Sequence, residues 1–335
     1  MLLDSKYEYY SKYSYDCCYS SPTFLFSHFT IKKYNFQFEE LVKLIKSEFD
    51  LTDDLISTDL LNNVLSRYYF EKKFYKYLLK KHNIKHVFFI KNGSQKGLCA
   101  VAREMKVKIT EIQHGAILFE HMNYNYPENI KTNQNIIVPD NMFVYSSEWF
   151  EHINFPSVEI VPVGNNHIAI DSKASSYNNS ILVVSSNIHG EILKNFITEI
   201  IETNKFSDVN FIFKLHSNQS LEKDGYYKYF NRFENVSVVF NEKSIKNLFL
   251  ECETVLVIES TIIFEALQAN KRILLLKSNR SCLYNNLFVN PNISLINSIR
   301  DFGLFYKNPI KISENSIYFL PFNRNLALKY IHKIQ

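Results

Sequence analysis

Six short polar clusters follow apolar runs along the 335-residue chain, and their side chains could do chemistry. They are Asn92-Gly93-Ser94, Gln113-His114-Gly115, Gly164-Asn165-Asn166, Ser185-Ser186-Asn187, His216-Ser217 and Glu259-Ser260-Thr261. Turns alone explain glycine, asparagine and serine there, but not two histidines. A neutral imidazole can take a proton from a hydroxyl near pH 7. His114 is placed for that work, and Gly115 beside it lets a substrate approach the backbone. The plain alternative is a core histidine bonded to a neighbouring carbonyl. His121, further along, is an alternative base.

The second histidine has a cation beside it. In Phe211-Ile212-Phe213-Lys214-Leu215-His216, strand alternation points Lys214 and His216 to one side. That pair suits an anionic ligand such as a nucleotide phosphate; a surface lysine next to a hydrogen-bonded histidine is the plain reading. Ser260 is placed as a helix N-cap with Thr261 opening the helix, where hydroxyls and free N–H groups favour a phosphate. Glu265, one turn on, would accept ribose hydroxyls or pair with Lys271. Ser185, Ser186 and Asn187 are candidates to touch phosphate or sugar, while Asn92, Ser94, Gly115 and His121 would line an opposite, acceptor side.

These residues need a scaffold that gathers strand ends. Short continuous apolar runs, as in buried parallel strands, are predicted at 86–90, 107–112, 142–145, 158–163, 181–184, 210–215, 236–240, 254–258 and 272–276. Helical patterns lie near 37–48, at 53–82 with Asp53 and Asp54 in the first turn, and between the later strands. Strands alternating with helices predict an α/β chain with parallel sheets. The polar stretch 167–179 divides the chain into two Rossmann-like domains, 1–166 and 180–320, followed by a last helix in 321–335. Ligands of such sheets sit outside the carboxyl ends of the strands, where the polar clusters fall. Residues 1–60 suggest no function.

Bulk properties exclude several classes. The net charge is +4 with a pI near 8.5, so no nucleic-acid partner is needed. The densest basic run, Lys72, Lys73, Lys76, Lys80 and Lys81, reads as a solvated helix face, with anionic lipid or a lipid-linked acceptor as the sharper alternative. Cys17, Cys18, Cys99, Cys252 and Cys282 form no CxxC pair, which argues against structural zinc and a disulfide framework. No Asp-x-Asp motif ends a strand, so no metal or other cofactor is expected, and neither a P-loop nor a Gly-x-Ser-x-Gly elbow occurs. Without a signal-peptide pattern or an apolar run of spanning length, the expected location is cytoplasmic, with peripheral contact at the inner face of the cell membrane.

The ordered set is recognisable. Lys214-Leu215-His216 at a strand end, then about forty residues on, Glu259-Ser260-Thr261 with Phe264-Glu265-Ala266-Leu267, resembles the donor domain of GT-B glycosyltransferases. It is most similar to bacterial sialyltransferase and capsule-type enzymes and to teichoic-acid glycerophosphotransferases. The resemblance implies a metal-independent glycosyltransferase with two parallel sheets facing across a cleft and a last helix crossing back to the first domain. It implies that Lys214, His216, Ser260 and Thr261 hold the donor phosphate, that Glu265 holds the ribose, and that His114, in a His-Gly element, is the general base. Glu111 or Glu120 would replace His114 where a carboxylate serves. The implied donor is a nucleotide sugar, a CMP-linked acidic sugar ahead of a UDP-sugar. The implied acceptor is a glycan or lipid-linked sugar of a bacterial capsule or lipopolysaccharide O-antigen. Ser217 replaces a usual proline, and Glu259 stands where a first serine often lies. Rival readings are a CDP-glycerol or CDP-ribitol phosphotransferase, a sugar-nucleotide epimerase, and a non-catalytic nucleotide-sugar-binding protein.

Overall fold

The computed structural model describes residues 2–3, 18–19, 35–49, 56–119, 121–130, 135–165, 179–307 and 317–332. Asp53, Asp54, Glu120, Asn166 and nearly all of 167–179 lie outside the described residues. The described helices begin with α1 (Glu39–Phe49) and α2 (Thr58–Lys81). The Ser57 hydroxyl caps α2 by accepting the Leu60 N–H at 3.1 Å.

The first sheet is parallel, with strands in sequence order: β1 (His86–Phe89), β2 (Lys108–Ile112), β3 (Asn141–Val144) and β4 (Glu159–Pro162). Helix α3 (Lys96–Glu104) links β1 to β2 and packs on α2. Gly97 permits that packing, since a Cβ there would lie 2.4 Å from Glu71 Cβ.

The second sheet holds β5 (Ser180–Val184), β6 (Asn210–Lys214), β7 (Val236–Val239), β8 (Thr254–Val257), β9 (Arg272–Leu276) and β10 (Ile293–Ile296). Their spatial order is β10-β9-β8-β5-β6-β7, all parallel. The chain runs outward from β5 in one direction and resumes at β8 in the other. The switch point, where a doubly wound sheet opens a crevice for ligand, therefore lies between β5 and β8. Helices α4 (Gly190–Glu202), α5 (Lys223–Phe230), α6 (Ile245–Glu251), α7 (Ile262–Gln268) and α8 (Ile299–Lys307) surround the sheet. Strand β10 and helices α5 and α8 add to the elements marked in the sequence.

After the second sheet the chain returns to the first. Leu320 N donates to Tyr145 O at 3.0 Å, Asn165 N to Leu320 O at 2.7 Å, and Asn323 N to Val163 O at 2.7 Å. Helix α9 (Arg324–His332) then packs Leu326, Ala327, Tyr330 and Ile331 onto Phe88, Phe143 and Val161. Trp149, fully buried, ties three parts together. Its Nε1–H donates to Tyr318 O at 2.7 Å, and its ring lies 4.8 Å from that of Phe264 on α7.

Gly164 is where this return path comes closest. Its φ is +81°, and a Cβ would fall 2.2 Å from the Pro321 carbonyl oxygen. Gly164→Ala is expected to lower the free energy of unfolding by about 1–3 kcal/mol, read from the midpoint of a urea titration.

Candidate functional site between the two sheets

The carboxyl-end loops of the two sheets touch. Ala116 N, in the loop after β2, donates to Thr261 Oγ1 in the loop after β8 at 3.4 Å. A Cβ on Gly115 would meet that oxygen at 3.6 Å, ordinary contact, so the glycine is not required there by space. His114 is exposed at the end of β2 beside this junction. Gln113 holds the turn: its Oε1 accepts Tyr145 N at 2.9 Å and its Nε2 donates to Gly115 O at 3.0 Å.

Of the residues assigned to the acceptor side, Asn92 serves the scaffold instead. Asn92 is fully buried; its N donates to Glu111 Oε1 at 3.0 Å and its Oδ1 accepts Lys96 Nζ at 2.7 Å. Glu111 is equally buried and also accepts the Tyr124 hydroxyl at 2.8 Å. Burial raises its pKa, and an acceptor hydroxyl cannot reach it, so Glu111 is ruled out as the base by inaccessibility. Ser94 is exposed and donates to Lys91 O at 3.0 Å. It lines a cavity of about 390 Å³ whose other walls are α2 residues, Gly93 and Lys96, with nothing from the second sheet. His121 is exposed, with its ring 4.6 Å from that of Tyr124.

On the second sheet, His216 lies in the loop after β6. Its Nδ1 accepts Asn218 N at 3.2 Å, which fixes the neutral tautomer with the proton on Nε2. The exposed ring therefore presents an N–H donor. Lys214 does not stand beside it as a second open donor: its ammonium is bonded to Leu215 O at 3.0 Å and to Phe240 O, and desolvation lowers its pKa. These carbonyls at the ends of β6 and β7 capture the side chain.

Among the residues after β5, Ser185 is buried, its hydroxyl beneath Gly190, where a Cβ would approach it to 2.9 Å. Ser186 Oγ accepts His189 N at 3.2 Å, and Asn187 is exposed. After β8, Ser260 Oγ accepts Ile262 N at 3.2 Å; the N-cap position of α7 is Thr261, one residue later than the sequence suggests.

Burial pushes the pKa of Glu265 up to about 7, opposed by the charge of Lys246. A carboxyl raised in the folded state favours that state below its unfolded pKa, and the advantage is lost as pH rises through about 7. Glu265→Gln removes this penalty, so the variant is expected to be more stable than the parent at pH 8 by up to about 3 kcal/mol and similar to it at pH 4.5. Denaturant titrations at the two pH values check this.

Three polar residues in the same region escape a strand-by-strand reading. His189 follows β5, and Ser278 and Arg280 follow β9; all converge on Glu259. The signal was present in Lys277-Ser278-Asn279-Arg280, a polar cluster directly after an apolar strand. Among the described residues no group of three or more histidine, cysteine, aspartate or glutamate side chains has metal-binding geometry.

No protein-family profile matches the chain, and no curated protein matches it in sequence. Solved structures do. The Neisseria meningitidis UDP-GlcNAc 2-epimerase bound to UDP-GlcNAc overlays with a TM-score of 0.51 at 13% identity, covering 99% of this chain and 97% of that one. Acinetobacter baumannii MurG gives 0.53 at 9% identity, covering 91% and 89%. The spinosyn rhamnosyltransferase SpnG, complexed with thymidine diphosphate, gives 0.51 at 9% identity, covering 90% and 87%. The fold is GT-B. Both GT-B sheets are present here with their carboxyl ends in contact. No helix among the described residues is long and apolar enough to cross a membrane.

Proposed function

We propose that this GT-B chain transfers a sugar from a nucleotide sugar to the hydroxyl of a glycan or lipid-linked acceptor, in bacterial surface polysaccharide assembly. The observation that carries the reading is the meeting of the two strand-end loops at Ala116 and Thr261, with His114 on one side and His216, Ser260 and Glu265 on the other. The neutral imidazole of His114 takes the acceptor proton as the hydroxyl oxygen bonds to the anomeric carbon. The bond from that carbon to the phosphate oxygen breaks, and the nucleotide leaves with the electron pair. The Nε2–H of His216 and the hydroxyls of Ser260 and Thr261 donate to the phosphate oxygens as charge develops there. Glu265 accepts a hydrogen bond from a ribose hydroxyl. Lys214 supports this site by holding the ends of β6 and β7 together. The exposed Lys73, Lys76, Lys80 and Lys81 of α2 would face anionic lipid when the acceptor is membrane-bound.

Epimerisation of a nucleotide sugar is the second reading, favoured by the near-complete overlay on the N. meningitidis epimerase. The two are separated by incubating the protein with UDP- and CMP-sugars, with and without a bacterial glycolipid extract, and following the products by NMR. Transfer predicts free nucleotide and a new glycoside only with acceptor. A changed sugar configuration without acceptor would replace transfer by epimerisation, and a new phosphodiester would identify a CDP-glycerol-type phosphotransferase.

A further inference from the structure

An ion pair at the switch point has no role in the steps above. Glu259 ends the loop from β8, directly before Ser260. Its Oε1 accepts the Ser278 hydroxyl at 3.0 Å and lies 3.7 Å from His189 Nε2, while its Oε2 lies 3.3 Å from Arg280 Nη1. Alone, a carboxylate here would repel a phosphate. Arg280 offsets that charge. The arrangement is asymmetric: the Glu259 side chain is 14% exposed and that of Arg280 67%. Arg280 spends one edge of its guanidinium on Glu259, and a guanidinium carries five N–H donors. The remaining donors stay open at the carboxyl edge of the sheet. Its backbone is fixed as well, since Arg280 N donates to Ser278 Oγ at 3.2 Å and Ser278 N to Ser281 Oγ at 2.8 Å. A cation so tethered loses less freedom when it binds an anion.

Resting on the nucleotide-sugar reading, we propose that Arg280 is a specificity residue that binds the second phosphate of a nucleoside diphosphate sugar. His216, Ser260 and Thr261 supply enough donors for one phosphate. The guanidinium, one strand further along the sheet edge, supplies a planar pair of N–H groups for the next. A CMP-linked sugar has no second phosphate to occupy it, so the arrangement favours a diphosphate donor over the CMP-linked one suggested by motif resemblance. Glu259 aims the guanidinium without touching the ligand.

The test is calorimetric titration with the pairs UDP and UMP, CDP and CMP, TDP and TMP, and GDP and GMP, using the parent protein, Arg280→Ala and Arg280→Lys. The parent is expected to bind one diphosphate about tenfold or more tighter than its monophosphate. Arg280→Ala should bring the two within about twofold by weakening only the diphosphate, and Arg280→Lys should restore part of the difference. Equal weakening of both, or of neither, overturns the assignment of Arg280, as does a parent that prefers monophosphates. A parent that binds none of the eight overturns the nucleotide-sugar reading itself. Because the side chain is largely exposed, unchanged circular-dichroism melting curves are expected for both variants.

Discussion

His114→Ala is expected to lower sugar transfer by about 10²–10⁴-fold while leaving nucleotide affinity within about twofold of the parent. The split follows from position. His114 follows β2 of the first sheet, whereas His216, Ser260, Glu265 and Arg280 all follow strands of the second. Removing the imidazole deprives the acceptor hydroxyl of its base and removes no donor from the phosphate. Turnover and calorimetry on one preparation check both halves of the expectation. Loss of nucleotide binding with loss of turnover would make His114 a structural or donor-side residue. Retained turnover would move the base elsewhere, with the exposed His121 as the next candidate on the first domain.

Trp149→Ala is expected to cost about 3–5 kcal/mol of stability, the range for deleting a large buried aromatic side chain. The indole is fully buried against Tyr145, Phe264, Tyr318 and Phe319, which come from the first sheet, the second domain and the returning chain. Its removal leaves a cavity at the point where these parts meet and deprives the Tyr318 carbonyl of a donor. Trp149→Phe keeps part of the packing and should cost less. Trp149 is the only tryptophan of the chain, so unfolding of the variants must be followed by circular dichroism. An effect below about 1 kcal/mol would mean that the two sheets are not held together through this residue.

The strands were legible because buried parallel strands need unbroken apolar runs, and Val87 to Ile90, Phe211 to Phe213 and Val255 to Ile258 are such runs. Strand β10 was harder to see. It is an edge strand with Leu295 partly exposed, and it is framed by Pro291 and Asn297 in sequence that reads as loop. Helix α8 is masked by Gly303, which suits the helix poorly by propensity yet lets Phe206 pack at 3.0 Å from where its Cβ would stand.

The site was legible in outline for a similar reason: a doubly wound sheet presents its strand ends to ligand, so polar clusters after strands mark the crevice. Individual side chains were not legible, because burial and capture by neighbours have no signature at strand ends. Lys214 reads as an open cation, but two carbonyls take its ammonium. Asn92 and Ser185 read as ligand contacts but are buried. Arg280 reads as an unremarkable loop cation and gains its meaning only when Glu259, distant in sequence, is seen beside it.

Nucleotide binding in the crevice of the second sheet is read by a thermal-shift screen against UDP, CDP, TDP, GDP and CMP without added metal. A ligand that binds the folded state must raise its apparent stability. A rise is expected with at least one nucleoside diphosphate, lost in His216→Ala. No rise with any nucleotide, or an equal rise in His216→Ala, would contradict it.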